Sequence, residues 1–246
     1  EIEIVVTAQD GTEKTYTVTV TRAESSNADL SGLDTNVGTL NPSFDPAKTE
    51  YALSVGNGVS SVELTATVAD STSMLAINGV EATSGISQAI PLAVGANKLV
   101  IVITAQDGTE KAYNISITRA FSSNANLSSL ATDPDGISPS FAPGIFSYNL
   151  NTTATELKIT PMAADSTSIV KVINAVVDSG SQASFDLKVG ANTITVTVVA
   201  QDGVTKQTYS INVIRSLTES NPGSDPGPGT TFPPGNQDAD SDTDVE

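Results

Sequence analysis

Residues 98–119 read KLVIVITAQDGTEKAYNISITR, with apolar side chains at every second position. Leu99, Ile101, Ile103 and Ala105 share one face of the first run. Tyr113, Ile115 and Ile117 share one face of the second, and Thr, Asn and Ser fill much of the opposite side. A period of two is the strand period, and β-branched residues suit a pleated surface better than a helix. Between the runs, Asp107-Gly108 can supply the positive φ of a tight turn. The stretch therefore predicts an antiparallel hairpin. Residues 1–22 and 193–215 repeat the pattern, although Asp202 and Tyr209 stand one residue further apart than Asp107 and Tyr113. That difference predicts a longer turn or a bulge. One hairpin recurring at just under a hundred residues is the signature of a string of similar domains.

The alternation continues ahead of the central hairpin. Leu30 and Leu33 predict a short first strand, and Tyr51–Val55 a second. Val62, Leu64, Ala66 and Val68 alternate as a third, followed by Met74–Ile77 and Ala89–Leu92. Asn78-Gly79 is a strong two-residue turn signal, and Gly95-Ala96-Asn97 turns the chain into the hairpin. Pro42 and Pro46 stiffen the passage that holds Phe44. Phe44 and Tyr51 are large side chains in a small-residue core and read as core pegs. About seven short strands in this length fit a two-sheet sandwich.

Residues 121–215 repeat the order. Asn126, Leu127 and Leu130 match Asp29, Leu30 and Leu33; Pro139, Phe141, Pro143 and Tyr148 match Pro42, Phe44, Pro46 and Tyr51. Asp165-Ser166-Thr167-Ser168 matches Asp70-Ser71-Thr72-Ser73, and Val189-Gly190-Ala191-Asn192 matches Val94-Gly95-Ala96-Asn97. Asn174-Ala175 is expected to replace the Asn78-Gly79 turn. The chain thus divides into residues 1–23, the closing hairpin of a truncated unit; 24–120 and 121–215, complete units; and 216–246, a Pro/Gly/Asp-rich segment expected to be a disordered linker. The first hairpin lacks a front part and is expected to belong to a longer protein. Its apolar face could dock on the next unit or pair with another chain. The joins, Thr21–Ser26 and Thr118–Ser123, hold no Gly/Pro spacer, so semi-rigid end-to-end stacking is expected. Arg22 and Arg119 at these joins are expected to snorkel or to pair with a carboxylate.

Composition narrows the chemistry. The 246 residues carry a formal net charge of −17, with 28 acidic and 11 basic side chains. That balance disfavours nucleic acid and anionic membranes as partners. No apolar run reaches the length of a membrane span, so no direct membrane insertion is expected. The sequence holds no Cys and no His. Disulfides, His- or Cys-based metal sites and the usual nucleophile–base arrangements all lack their parts. Asp10, Asp70, Asp107, Asp165 and Asp202 sit at turn positions, which explains them better than acid–base work on a sugar. No catalytic, cofactor-binding or metal-binding residue, and no cofactor, is expected. Asp238, Asp240, Asp242, Asp244 and Glu246 alternate as in the start of a calcium-binding loop, but without the Gly such a loop uses for its sharp turn. A solvated acidic linker is the favoured reading of that run. Phe121, Phe146 and Phe185 have no matched aromatic and are the candidates for an exposed binding surface. Acceptor sequons at Asn114, Asn126 and Asn151 matter only in a eukaryotic secretory setting, and a bacterial one is expected.

The recurring order is L-x-x-L, G-x-L-x-P-x-F-x-P, Y, V-G-x-N and A-Q-D-G-x-x-K-x-Y-x-[IV]-x-[IV]-x-R. It resembles the cadherin-like β-sandwich repeat found in tandem in bacterial secreted and surface proteins. Leu30, Leu40, Pro42, Phe44, Tyr51, Asn97, Asp107, Gly108 and Tyr113 carry the match in the first unit. Leu127, Pro139, Phe141, Tyr148, Asn192, Asp202, Gly203 and Tyr209 carry it in the second, with Ile137 in place of Leu40. The resemblance implies an all-β chain of tandem immunoglobulin-like antiparallel sandwiches, acting as an extracellular or cell-surface spacer or adhesion module without catalytic residues. It does not imply calcium: neither join carries a D-x-N-D-N run. The expected partners are neighbouring domains of the same chain and an unidentified protein or glycan. The alternative is a glycan- or protein-binding module, as in an accessory region of a secreted carbohydrate-active enzyme.

Overall fold

The computed structural model describes residues 1–217, which are all strand, turn and loop. The acidic run and most of the expected linker lie outside the described residues. The first hairpin is β1 (Ile2–Thr7) and β2 (Glu13–Val18), a two-stranded sheet of its own.

Eight strands follow: β3 (Leu30–Thr35), β4 (Glu50–Val55), β5 (Ser61–Val68), β6 (Met74–Ile77), β7 (Val80–Ala82), β8 (Ser87–Pro91), β9 (Gly95–Thr104) and β10 (Glu110–Arg119). They form two sheets, ordered β4-β10-β9-β6-β7 and β3-β5-β8. Strand β4 runs parallel to β10, while the other ladders are antiparallel. The same order recurs in β11 (Leu127–Asp133), β12 (Ser147–Thr152), β13 (Glu156–Ala163), β14 (Ile169–Val172), β15 (Ala175–Val177), β16 (Ala183–Asp186), β17 (Gly190–Val199) and β18 (Lys206–Arg215). Its sheets are β12-β18-β17-β14-β15 and β11-β13-β16. Both sets are immunoglobulin-like sandwiches.

Each sandwich has one core, built from the side chains the alternation points inward. Leu30, Leu64, Ile101, Ile103, Tyr113 and Ile115 are fully enclosed in the first; Leu127, Ile159, Val196, Val198, Tyr209 and Ile211 are their counterparts in the second. Tyr51 and Tyr148 are buried beneath Phe44 and Phe141, at ring-centroid distances of 6.2 and 6.1 Å. Each of these phenols donates to a carbonyl in the turn just before it, Tyr51 to Asp45 and Tyr148 to Ile145. Tyr113 and Tyr209 bond the other way across the sandwich: their hydroxyls accept from the Leu30 and Leu127 N–H groups and donate to the Pro46 and Pro143 carbonyls. An enclosed phenol needs such partners.

Three local expectations are corrected. Each sandwich has eight strands rather than seven, because β7 and β15 are three-residue edge strands too short and exposed to show alternation. The chain is already in β9 at Gly95, and the turn before it is closed by a side chain. Asn97 accepts from the Ala93 N–H and donates to the Ala93 carbonyl, as Asn192 does with Lys188. Finally, the residues that replace Asn78-Gly79 are Ile173-Asn174, not Asn174-Ala175. Ile173 and Asn174 have φ of 45° and 67°, against 49° and 80° for Asn78 and Gly79. The hairpin register requires this: Val172 pairs with Ala175 as Ile77 pairs with Val80. The third AQDG turn is longer, as expected, and the β17–β18 ladder runs on without a bulge.

Candidate functional site

The turn carboxylates do local work first. Asp10, Asp107 and Asp202 each accept a backbone N–H two residues on, from Thr12, Thr109 and Val204. Hydrogen bonding to the ionised form holds each below the usual carboxylate range, chiefly from the Thr12 and Thr109 N–H groups and, for Asp202, from the Thr205 hydroxyl. Among the described residues, no group of three or more acidic side chains is arranged to hold a metal ion.

One set of long-range polar contacts lies at the joins between units. In the first join, the Ser25 N–H donates to Gln106 Oε1 at 3.2 Å, and the Ser25 carbonyl accepts from the Asp107 N–H at 3.1 Å. The Ser25 hydroxyl donates to Asp70 Oδ2 at 2.5 Å. Asp70 also accepts from the N–H and hydroxyl of Thr72, and Ser73 Oγ donates to the Asn27 carbonyl. The Ser25 hydroxyl, with the Thr72 donors next and Arg22 last, brings the Asp70 carboxyl down to about 2. Arg22, Ser25, Asp70 and Gln106 line one small polar hollow.

The second join repeats the arrangement. The Ser122 N–H donates to Gln201 Oε1 at 3.0 Å, and the Ser122 carbonyl accepts from the Asp202 N–H at 3.0 Å. Ser122 is buried, and its hydroxyl bond is the main reason Asp165 is held below the usual range. Ser168 Oγ donates to the Asn124 carbonyl. On the other side of the join, the Ala120 N–H donates to the Val55 carbonyl and the Ala120 carbonyl accepts from Asn57 Nδ2, both at 3.0 Å. Arg119 donates through Nε to the Asn57 carbonyl and through Nη1 to the Leu92 carbonyl. Residues 119–120 are thus fastened to one sandwich and Ser122 to the next. Only Phe121 lies between, its ring against Gly95.

Arg119 therefore caps carbonyls where a carboxylate partner or snorkelling was expected. A planar guanidinium can serve two carbonyls at once, and among the described residues no carboxylate pairs with it. Arg215 donates to the Leu187 carbonyl in the same way, but its buried Nε has no partner among the described residues. The loop from Thr152 to Leu157 is two residues shorter than that from Val55 to Val62, so no counterpart of the Asn57 carbonyl is present there.

Of the three unmatched aromatics, Phe121 belongs to the join and is 53% exposed. Phe146, 41% exposed, leans on Tyr209 at 5.4 Å. Phe185 packs partly into the second core and lines a groove of about 440 Å³ with Ile173, Asp186, Lys188 and Asn192. Sequence reasoning placed Ser25 and Ser122 in the joins without assigning them bonds, and it missed Gln106, Gln201 and Asn57 as join residues. The signal for four of these five was present: Ser-Ser-Asn recurs ahead of each unit, and Gln recurs in every AQDG.

Two similar sandwiches strung on a bonded join define a tandem β-sandwich protein. The chain belongs to the cadherin-like beta sandwich domain family, whose model matches residues 28–120 and 125–216. A relative from Evansella cellulosilytica named "Putative membrane protein" is 44% identical over 96 residues, 39% of this chain and 14% of that protein. Solved structures with matching regions include the Clostridium thermocellum CbhA fibronectin(III)-like modules, at 13% identity, 76% and 95% coverage and a TM-score of 0.23. The titin z1z2 domains match at 10% identity, 76% and 97% coverage and 0.36; mouse cadherin-23 EC22-24 at 12%, 74% and 67%, and 0.30. None of these scores reaches 0.5, and the family assignment rests on the sequence match. No helix among the described residues is long and apolar enough to cross a membrane.

Proposed function

We propose that this chain is a non-enzymatic structural module that spaces and presents neighbouring domains of the same polypeptide outside a bacterial cell. The observation that carries the reading is the join at residues 119–124, where both flanks are hydrogen-bonded into the adjoining sandwiches and one residue separates them. A flexible tether would expose its backbone and use Gly and Ser freely; this one is pinned. The polar groups support the same reading, since the turn carboxylates are engaged in turns and joins rather than facing each other across a cleft. The acidic balance suits a surface that avoids nucleic acid and anionic lipid.

NMR ¹⁵N relaxation of the full chain tests the stiffness. The two sandwiches are expected to share one anisotropic tumbling time. Two independent, shorter correlation times would defeat the reading.

A second reading, a glycan- or protein-binding module, draws on the groove beside Phe185. Chemical shifts of Phe185, Asn192 and Thr193 that move on titration with soluble oligosaccharides, while their counterparts in the first sandwich stay still, would favour it.

A further inference from the structure

The hairpin β1–β2 carries a core face with no core. Ile2, Ile4, Val6, Tyr16, Val18 and Val20 are 44–66% exposed. Their counterparts in the first sandwich are Leu99, Ile101, Ile103, Tyr113, Ile115 and Ile117, and in the second Ile194, Val196, Val198, Tyr209, Ile211 and Val213. All twelve are at most 3% exposed. The register is the same three times over: Ile4 pairs with Tyr16, Ile101 with Tyr113 and Val196 with Tyr209. Even the polar fittings are in place. Lys14 Nζ stands 5.1 Å over the Tyr16 ring, as Lys111 Nζ stands 5.1 Å over Tyr113. In the first sandwich Lys111 Nζ donates to Asp29 Oδ1 at 2.6 Å and to the Pro46 carbonyl at 2.7 Å, and the Tyr113 hydroxyl bridges Pro46 and Leu30.

We infer that the apolar face of β1–β2 is the closing layer of a third cadherin-like sandwich, and that it docks the front strands of that unit, carried on polypeptide immediately ahead of β1. The occupant's chemistry follows from what the face lacks. It must bring a leucine-anchored first strand whose N–H meets the Tyr16 hydroxyl. It must also bring a proline-turn carbonyl and an acidic side chain for Lys14. Upstream polypeptide is the source that the two complete units indicate: in both, the front strands precede the closing hairpin and enter it through Val-Gly-Ala-Asn. Self-pairing of two such hairpins fits poorly. Two six-residue strands offer a small face beside the roughly 800 Å² per partner of a standard interface. A two-stranded hairpin alone is also marginal in water. The inference stands apart from the spacer reading, which depends on residues 119–124.

The test places a copy of residues 24–97 directly ahead of Glu1, since Glu1 matches Lys98 in the hairpin alignment, and follows amide hydrogen exchange in the resulting full chain. Residues 2–7 and 13–18 are expected to slow to the rates of 99–104 and 110–115, and Tyr16→Ala in the same chain is expected to return them to fast exchange. A control chain carries a copy of residues 24–119 in place of residues 1–22, so that the grafted front strands keep their own hairpin. Protection in the control with fast exchange at residues 2–7 and 13–18 in the test chain would overturn the inference. A concentration-dependent dimer of the original chain in sedimentation, with the hairpin amides protected, would assign the face to a second copy and overturn it equally.

Discussion

Ile173 occupies a backbone conformation that a β-branched residue rarely adopts. Its counterpart Asn78 suits that conformation and adds a bond, accepting from the Val100 N–H at 3.0 Å. Ile173 offers the matching Thr195 N–H no such acceptor. Ile173→Asn is expected to stabilise the second sandwich by about 1 kcal/mol, read by chemical denaturation. An unchanged midpoint would mean the turn is relaxed. The sequence misleads at this position because Asn174 looks like the partner of Asn78, whereas the ladder places it opposite Gly79. Identity of residue type outweighed register there, and only the pairing of β14 with β15 resolves it.

Asp70 is the residue-scale handle on pH. Its carboxyl titrates at about 2 when folded, against 3.8 ordinarily. The folded state therefore favours its ionised form. The resulting stabilisation is in place above 3.8 and is lost as pH falls through about 2. Asp165, shifted the same way by Ser122, acts in the same sense. Both chains, the original and Asp70→Asn, are expected to weaken in acid, with a smaller pH dependence below 4 in the variant. Parallel curves in pH-dependent urea titrations would remove Asp70 from the account.

At the scale of elements, the hairpins were legible because three signals agree: period-two burial, β-branched composition and Asp-Gly turn chemistry. Strands β7 and β15 were not, since three residues, two of them exposed, give no period. The joins were only half legible. Their recurring Ser and Gln are visible in the sequence, but the bonds span about eighty residues and no local pattern announces them. The cross-sandwich phenols tie these elements together. Tyr113→Phe leaves the buried Leu30 N–H without its acceptor and is expected to lower stability by about 1–2 kcal/mol. Asn97→Ala opens the loop that enters β9 and is expected to act in the same range. Thermal or urea unfolding checks both; loss confined to the first sandwich is the expected result, and loss in both would indicate a shared core.

At the scale of the whole chain, two separate cores sit on either side of a join whose polar groups are engaged on both flanks. Separate cores predict separate cooperative units. Leu64→Ala should cost the first sandwich about 2–5 kcal/mol and leave the second melting as before. The spacer reading depends on the join rather than the cores. Ser122 and Gln201 hold it from one side, Arg119 and Asn57 from the other. The chain has no cysteine, so Ser116→Cys and Thr208→Cys provide two unique spin-label positions, one in each sandwich. Pulsed electron paramagnetic resonance between them reads the join directly. The account predicts one narrow distance distribution that broadens when Ser122→Gly and Gln201→Ala are added. A distribution already broad in the doubly labelled chain would contradict it.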